Sequence, residues 1–460
     1  MLLVPLQPRC GHHPTPFAPE AARCPRCGVM APRNEVRQLT RWAASLEAPR
    51  QESVLVGCYL CPDCPEGERW FRLQPPGFEG WRNYTTSSIR TVLSLVTRFK
   101  MPFDGAARLG REVLHLQELH ETTVLRWFRE AGDDVDYRSH LQRMAEVFSG
   151  ELALDEVYDG DHYVIKATDP INNLEITSWI GEGSPTADDI RDVLLELRAA
   201  GFHPLLVVTD GSTLYPRAIQ EVWPDAEHQL CVFHFIMGTL RKLGRVFWAA
   251  YNTMPKPKKR KRGRPKKRGR PRMDKLKRAN RKKVRSVRYL IFKRGGTGAN
   301  GKPLLCDGER RALDEAFRLC PALVELRRFV EALYELFGPT TTSHDLANER
   351  RQTVLDDDIF ADLPGLEPTL KDLRNDELFA RLTRYLAFEN ADKTSNHVER
   401  ENREFRKRQR SHYRLRSIQS LCAFLDLLLV RRPPPEKPRR LRRRERPTED
   451  HPRSQEANAA

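Results

Sequence analysis

Apolar residues recur along this chain with two different periods, and the switches between them divide it. From 88 to 99 (SIRTVLSLVTRF), Ile89, Val92, Leu93 and Val96 fall at helical spacing, and Pro102 stops the helix. Two more helices are predicted at 105–113 and 121–131, the second closed by Gly132. Three short helices with tight connections suggest a helix-turn-helix unit. The period then becomes that of strands. Residues 152–158 (LALDEVY), 162–168 (HYVIKAT) and 174–180 (LEITSWI) are β-favouring runs split by Asp-Gly and Asp-Pro turns, which predicts an antiparallel meander. Residues 186–200 read as an amphipathic helix with a Thr-x-x-Asp start and Gly201 at its end. The run 204–208 (PLLVV) is apolar throughout, as in a central strand covered on both faces. A helix at 214–222 and a strand at 229–233 complete the order β-β-β-α-β-α-β.

Later in the chain the helical period dominates: 309–390, clearest at 321–337 and 377–386, then 394–410 and 418–430. Pro321 suits the first position of its helix. Three segments lack either period. The first 80 residues, with Pro and Cys throughout, predict loops with little core of their own. Residues 255–290 are too charged to pack, and the Pro/Arg-rich tail after 430 is expected to be disordered. No internal repeat of 20–50 residues is present. No apolar run reaches the roughly 18 residues of a membrane span; the best, 421–430, holds Asp426. The N-terminus lacks the charged and apolar regions of a secretory signal, so a cytosolic, reducing compartment and no membrane partner are expected.

At 460 residues the chain has room for two to four domains. Its formal charge is +17, but between 256 and 288 twenty Lys and Arg stand against Asp274 alone. Nine more in 431–446 stand against Glu436 and Glu445, which leaves the rest of the chain near −9. The positive charge thus sits in two polyelectrolyte segments suited to phosphate backbones or an anionic surface.

Candidate chemistry begins with acids. Asp155 lies mid-strand between Leu154 and Val157, where an unpartnered charge is costly. Asp210 follows the buried strand, at the carboxyl edge where open α/β sheets place ligands. Glu399, in TSNHVERENREFRKRQR, shares a helical face with Asn402, Arg403 and Arg406, while Val398 and Phe405 mark the buried side. Two strand-borne Asp and one helix-borne Glu make an all-oxygen site suited to two Mg²⁺ or Mn²⁺ ions about 3.5 to 4 Å apart. Glu156, Asp159, Asp161, Asp225 and Glu401 are neighbouring acids.

At these residues the chain resembles a known family. The element order followed by a distant acidic helix looks like the RNase H-like core of the DDE transposases. LALDEVY, VVTDGSTLYPRAI and TSNHVERENREFRKR are similar to the motifs that carry the first Asp, the second Asp and the Glu in bacterial insertion-sequence and Mutator-like transposases. The resemblance covers roughly 85–430. Cys231 and His234, in HQLCVFHF, match the family's C/D-x-x-H signature, and the 189 positions from Asp210 to Glu399 fit its all-helical insertion. The resemblance implies a DNA transposase with catalytic Asp155, Asp210 and Glu399. It would hydrolyse the phosphodiester at the transposon end, and the freed 3′-hydroxyl would then attack target DNA in line, with no covalent protein intermediate. Transposon terminal inverted repeats and target DNA are the implied partners, with a homo-oligomer in the synaptic complex.

Basic residues beside Glu399, namely Arg400, Arg403, Arg406, Lys407, Arg408 and Arg410, are expected to hold backbone phosphates. In KRGRPKKRGRPRM, two GRP cores resemble AT-hooks whose Arg264 and Arg270 would lie in the minor groove of A·T-rich DNA. At the N-terminus, Cys24-x-x-Cys27 and Cys61-x-x-Cys64 are spaced like two zinc-ribbon knuckles. Cys10, His12, His13 and Cys58 are spare ligands for Zn²⁺ on those knuckles; the alternative is two sites, one on Cys10, His12 or His13, Cys24 and Cys27 and one on Cys58, Cys61, Cys64 and a fourth ligand. The helix at 121–131 is the expected recognition helix, with Thr123, Arg126 and Arg129 exposed and Val124, Leu125 and Phe128 largely core.

The predicted organisation is an α/β chain: a zinc-ribbon-like module over 1–80, a helix-turn-helix over 81–150, the first part of an RNase H-like mixed-sheet core over 151–245 and an AT-hook-like insertion over 246–295. An all-helical insertion over 296–390, C-terminal core helices over 391–430 and a basic tail over 431–460 complete it. The expected place of action is the bacterial cytoplasm, at the nucleoid. Two alternatives share the same residues: a domesticated, transposase-derived DNA-binding regulator, and an RNase H-like structure-specific nuclease.

Overall fold

In the computed structural model the described residues are 15–78, 82–257, 272–297, 302–361, 363–430 and 433–444. They fall into two compact units, one of residues 1–140 with 402–433 and one of 141–401 with 434–460.

The first unit opens with a sheet where loops are expected. Strands β1 (Thr15–Phe17), β2 (Ala21–Arg23), β3 (Met30–Ala43), β4 (Arg50–Leu60) and β5 (Trp70–Arg72) pair in the order β1-β4-β3-β2, with β5 also on β4. The β3–β4 hairpin runs from Ala43 opposite Arg50 to Arg33 opposite Tyr59. Most of β3 is exposed, so its sequence lacks the alternation that marks a half-buried strand. Only β4 has a substantial inward face, with Val54, Val56, Cys58 and Tyr59 buried. Helices α1 (Thr86–Thr97), α2 (Phe103–Glu112) and α3 (Glu121–Asp133) follow. The Thr85 hydroxyl caps α1 by accepting from the Ser88 amide, and Val92, Val96, Phe103, Trp127 and Phe128 form the apolar interior.

The second unit is mixed α/β. After α4 (Tyr137–Val147), strands β6 (Glu151–Asp159), β7 (His162–Asp169) and β8 (Leu174–Glu182) form an antiparallel meander. Gly160 takes φ +65° in the first turn, a conformation that favours glycine. Crossover helices α5 (Ala187–Ala199) and α6 (Tyr215–Val222) return the chain to β9 (Leu206–Thr209) and β10 (Glu227–Leu230). Both strands are laid parallel, so the sheet order is β8-β7-β6-β9-β10. Leu206, Val207 and Val208 are fully buried, as their unbroken apolar run predicts.

Nine helices then pack on their own core, which includes Leu243, Phe247, Leu326, Phe329, Leu333 and Leu370. They are α7 (Val232–Thr253), α8 (Arg272–Ser286), α9 (Arg288–Phe292), α10 (Asp307–Leu319), α11 (Ala322–Leu336), α12 (His344–Leu355), α13 (Asp358–Ala361), α14 (Glu367–Arg374) and α15 (Asp376–Thr383). The count is of the described residues. Helix α8 arises within the basic segment expected not to pack. Its Val284 is buried, and Arg281 stacks 4.0 Å over the Tyr251 ring while donating to the Tyr251 and Met254 carbonyls at 3.0 Å. A guanidinium with its aliphatic stem does the packing that composition assigned to no one.

The basic tail is likewise ordered where it is described. β12 (Arg442–Arg443) pairs with β11 (Phe388–Glu389), and Leu441 is buried with its amide donating to the Ser149 carbonyl at 2.8 Å. Main-chain pairing of this kind needs few apolar side chains, so composition did not reveal it. Helix α16 (Asn396–Arg408) spans the division between the units in sequence. Helix α17 (Ile418–Leu429), expected in the catalytic core, belongs to the first unit and packs on α3. There a Cβ at Gly132 would lie 2.4 Å from the Ala423 Cα. None of the described helices is long and apolar enough to cross a membrane.

Candidate catalytic site

The meander places Asp155 on the central strand, buried, with Lys166 of β7 directly opposite. Glu156 follows it on the same strand. Asp210 sits just past the end of the parallel neighbour β9 and reaches both. Oxygens of Asp155, Glu156 and Asp210 all lie within 4.8 Å of one another. Asp210 is held by an Asx turn in which its carboxylate accepts from the Ser212 amide at 2.8 Å. Glu399 of α16 is not in this group. Its carboxylate lies 3.1 Å from Nε2 of His234, in the first turn of α7.

Burial and mutual repulsion shape the charges. The Asp155 carboxyl is pushed up to about 6, first by burial and then by Glu399 and Asp210, with His234 opposing. Glu156 rises to about 7, again first by burial, then through Asp210 and Asp155, although the Tyr215 phenol beside it works the other way. The Tyr215 hydroxyl, deeply buried beside Glu156, is held well above its ordinary range. His234 is raised to about 9, first by the Cys231 thiol and then, against its own burial, by Asp155 and Glu399. Cys231 is lowered even though burial opposes this, because the His234 ring and the Ser395 amide, 3.2 Å from its sulfur, stabilise the thiolate. The C-x-x-H pair thus sets an imidazole raised to about 9 beside a lowered thiol, with the imidazole facing Glu399. Two carboxylic groups with values near 6 and 7, packed against a third, form an under-compensated anionic pocket. Its hard oxygen donors suit Mg²⁺ or Mn²⁺.

One strand over, Lys166 and Glu175 form a fully buried ion pair that periodicity could not announce, since both interrupt β-favouring runs. Glu156 as a member of the group was legible only as one of several neighbouring acids. His228, which contacts the residue before Asp210, carried no sequence signal.

The other predicted residues divide. Arg400, Arg403, Arg406 and Lys407 are exposed on α16, and Arg410 is exposed in the π-helical turn Gln409–Tyr413 that follows it. Arg408, expected among the phosphate contacts, is instead buried. It pairs with Glu404 at 2.8 Å and donates to the Thr97 carbonyl at 3.2 Å, so it holds the helix in place. On α3, Arg126 is exposed, with Glu130 at 3.7 Å. Arg129, expected to be free for DNA, is half-buried and donates from Nε to the Ser420 hydroxyl at 2.7 Å, because α17 covers that side of the helix. Thr123 and Leu125 are half-buried, Val124 and Phe128 buried, and Trp127 joins the interior. Arg264, Arg270 and Cys10, with His12 and His13, lie outside the described residues.

Cys24 and Cys27 turn the chain between β2 and β3, and Cys61 and Cys64 follow β4, so two knuckles face each other. Their sulfurs lie 3.8 Å apart for Cys24 and Cys64, 3.4 Å for Cys27 and Cys61 and 3.7 Å for Cys27 and Cys64. A tetrahedral ion with bonds of about 2.3 Å spaces its four sulfurs about 3.8 Å apart, so the thiols fit Zn²⁺. The Cys27 amide, donating to it, draws the Cys24 thiol down to about 6, while burial and the other thiols push Cys64 up to about 12. Cys58, expected as a ligand, is not in the cluster. It lies within β4, and burial raises its thiol.

A family profile described as "Transposase, Mutator family" matches residues 175–257, which run from β8 through Asp210 and the C-x-x-H pair to the end of α7. No curated protein matches the chain. A solved structure described as "Drosophila P element transposase strand transfer complex" is similar at a TM-score of 0.35 and 13% identity, covering 76% of this chain and 93% of that one. Over 175–257, then, the chain is similar to the transposases of the Mutator family.

Proposed function

We propose that Asp155, Asp210 and Glu399 are the catalytic acids of a DDE-type transposase, on an RNase H-like core, that cleaves the ends of its element and joins them to target DNA. The observation that carries this is the convergence of Asp155 and Asp210, 55 positions apart, within 4.8 Å at the carboxyl edge of a sheet ordered β8-β7-β6-β9-β10. Bound Mg²⁺ or Mn²⁺ would supply Lewis acidity toward the scissile phosphodiester and toward the 3′-hydroxyl. Asp155 and Asp210 would hold the ions from adjacent strands. Glu156 stands ready as a further oxygen ligand. Glu399, whose carboxylate lies 3.1 Å from Nε2 of His234, would be the third acid to hold them. The exposed Arg403, Arg406 and Lys407 would anchor DNA backbone.

The other modules fit a reader of ends. A zinc-held Cys24/Cys27/Cys61/Cys64 module and the helices before the core, with Arg126 on the open side of α3, would engage terminal inverted repeats. Arg264 and Arg270 would occupy A·T-rich minor groove, and several copies of the chain would assemble on paired ends in the bacterial cytoplasm. Strand cleavage and strand transfer on the element's own ends, with Mg²⁺ or Mn²⁺, test the catalytic reading. Asp155→Asn, Asp210→Asn and Glu399→Gln should each lower the rate by roughly 10³-fold or more, several kcal/mol of barrier. Glu156→Gln should cost less. If the three variants stay active, the assignment is wrong.

A further inference from the structure

Beside the acids, at the edge of the sheet, three polar side chains line up. Arg381, on α15 of the helical insertion, donates from Nη2 to Nδ1 of His228 at 3.1 Å. A guanidinium offers no acceptor, so Nδ1 carries no proton and the ring is the neutral Nε2–H tautomer. A doubly protonated ring would turn an N–H against the guanidinium. Nε2 lies 2.8 Å from the Thr209 hydroxyl, which in turn donates to the Asp210 carbonyl at 2.9 Å. Every donor thus points the same way, from the insertion to the backbone of the second acid. The adjacent Gln229, fully buried, ties the same two elements together. It donates to the Leu382 carbonyl and accepts from the Tyr385 amide, both at 2.9 Å.

We propose that Arg381, His228 and Thr209 form a positioning relay through which the helical insertion sets the Asp210 backbone, and with it the carboxylate. The inference rests on the reading of Asp210 as a catalytic acid. None of the three touches reacting atoms, so they act through Asp210 alone. Asp210 lies in a turn beyond β9: the Thr209 carbonyl before it still accepts from the Cys231 amide at 2.7 Å, whereas the Asp210 carbonyl has passed the end of the strand. The Ser212 amide holds its carboxylate and Thr209 holds its carbonyl, so the side chain is clamped from both ends. Misplacement of a ligand by about 1 Å is enough to cost on the order of 10²-fold in rate.

The test uses the full-length protein in the cleavage assay, alongside the ¹⁵N shifts of His228 in the metal-free protein. Thr209→Val removes the hydroxyl at nearly constant shape and should lower the cleavage rate about 10- to 100-fold. Its KM for DNA should stay within about twofold, and Thr209→Ser should restore most of the rate. His228→Gln places an amide N–H where Nε2 was and should outperform His228→Asn, which keeps only the acceptor facing Arg381. Wild-type His228 should report the Nε2–H tautomer, and Arg381→Ala should shift that equilibrium. If Thr209→Val fails to fold, the His228 pair and the tautomer decide. Wild-type rates in Thr209→Val and His228→Asn, with Asp210→Asn inactive, would overturn the relay, and so would an Nδ1–H tautomer in the wild type. An active Asp210→Asn would instead remove the catalytic reading on which the relay depends.

Discussion

The cysteine cluster of the first unit and the acid group of the second each gather like ligands within reach of one ion, yet they are built in opposite ways. The thiols come from two tight knuckles whose i and i+3 spacing already holds each pair together. Cys24 is drawn down to about 6 while Cys27 and Cys64 are raised, and the sulfurs stand 3.4 to 3.8 Å apart. Asp155 and Asp210 come from separate strands, cannot approach without a folded sheet, and repel when ionised. The rise of Asp155 to about 6 and of Glu156 to about 7 records that repulsion together with burial. A local chelate helps its own segment fold, whereas a dispersed acid group is a burden that the rest of the fold must carry until a cation arrives.

The sharpest way to break this contrast is to remove one thiol. Structural zinc contributes on the order of 10 kcal/mol to small domains at neutral pH. Cys61→Ser, or chelation of the wild type, should therefore unfold the sheet β1–β5, read as loss of strand signal in circular dichroism and as rapid proteolysis between β2 and β4. Cys58→Ser should leave that sheet folded, because Cys58 is outside the cluster. Equal loss in both variants would mean that the thiols act as packing groups and not as ligands.

The same contrast explains what the sequence made legible. Helical periodicity over 88–99 found α1 (Thr86–Thr97), and the run 152–158 found β6 (Glu151–Asp159), because each presents one apolar face at its own period. The two C-x-x-C spacings announced the knuckles of one ribbon, but the rival split into two sites, with Cys58 as a ligand, stayed open, since which knuckles meet depends on β3 and β4. Those strands were hidden: β3 faces water on most of its length, and its register comes from main-chain bonds that leave no mark on composition. β12 and α8 were missed for the same reason, one held by ladder bonds and the other by arginine stacking. The role of Arg129 depended on α17, 288 positions away in sequence, and no spacing rule spans that distance.

A smaller effect should separate the two sites by pH. A carboxyl whose folded value is raised binds protons more tightly in the folded state, so stability falls as pH rises between the unfolded and folded values. For Asp155 and Glu156 that window runs from about 4 to about 7. His234, raised to about 9, gives stability that is complete below about 6.5 and lost as pH climbs through 9, which has the same sign. Metal-free protein should therefore lose on the order of 2 kcal/mol from Asp155 alone between pH 4 and 7. Added Mn²⁺ should flatten that slope for the wild type and leave Asp155→Asn nearly unchanged. A slope that Mn²⁺ does not touch would detach the acids from any cation.

The smallest effect comes from a carboxylate built the other way. Glu404, five positions after Glu399, lies 2.5 Å from Lys100 and 2.8 Å from Arg408, all within the first unit. Burial alone would raise its carboxyl, yet the Lys100 and Arg408 contacts outweigh it and draw the group down to about 2. Its contribution has the opposite sign: complete above the unfolded value near 4.5, it is lost as pH falls through about 2. Glu404→Gln should cost about 1 to 2 kcal/mol at neutral pH, the full shift being discounted because the pair is partly in water. That cost should shrink toward zero near pH 2 in denaturant titrations, and Mn²⁺ should not alter it. A Glu404→Gln cost that instead grew on acidification would show that charge balance does not distinguish Glu404 from the acid group around Asp155.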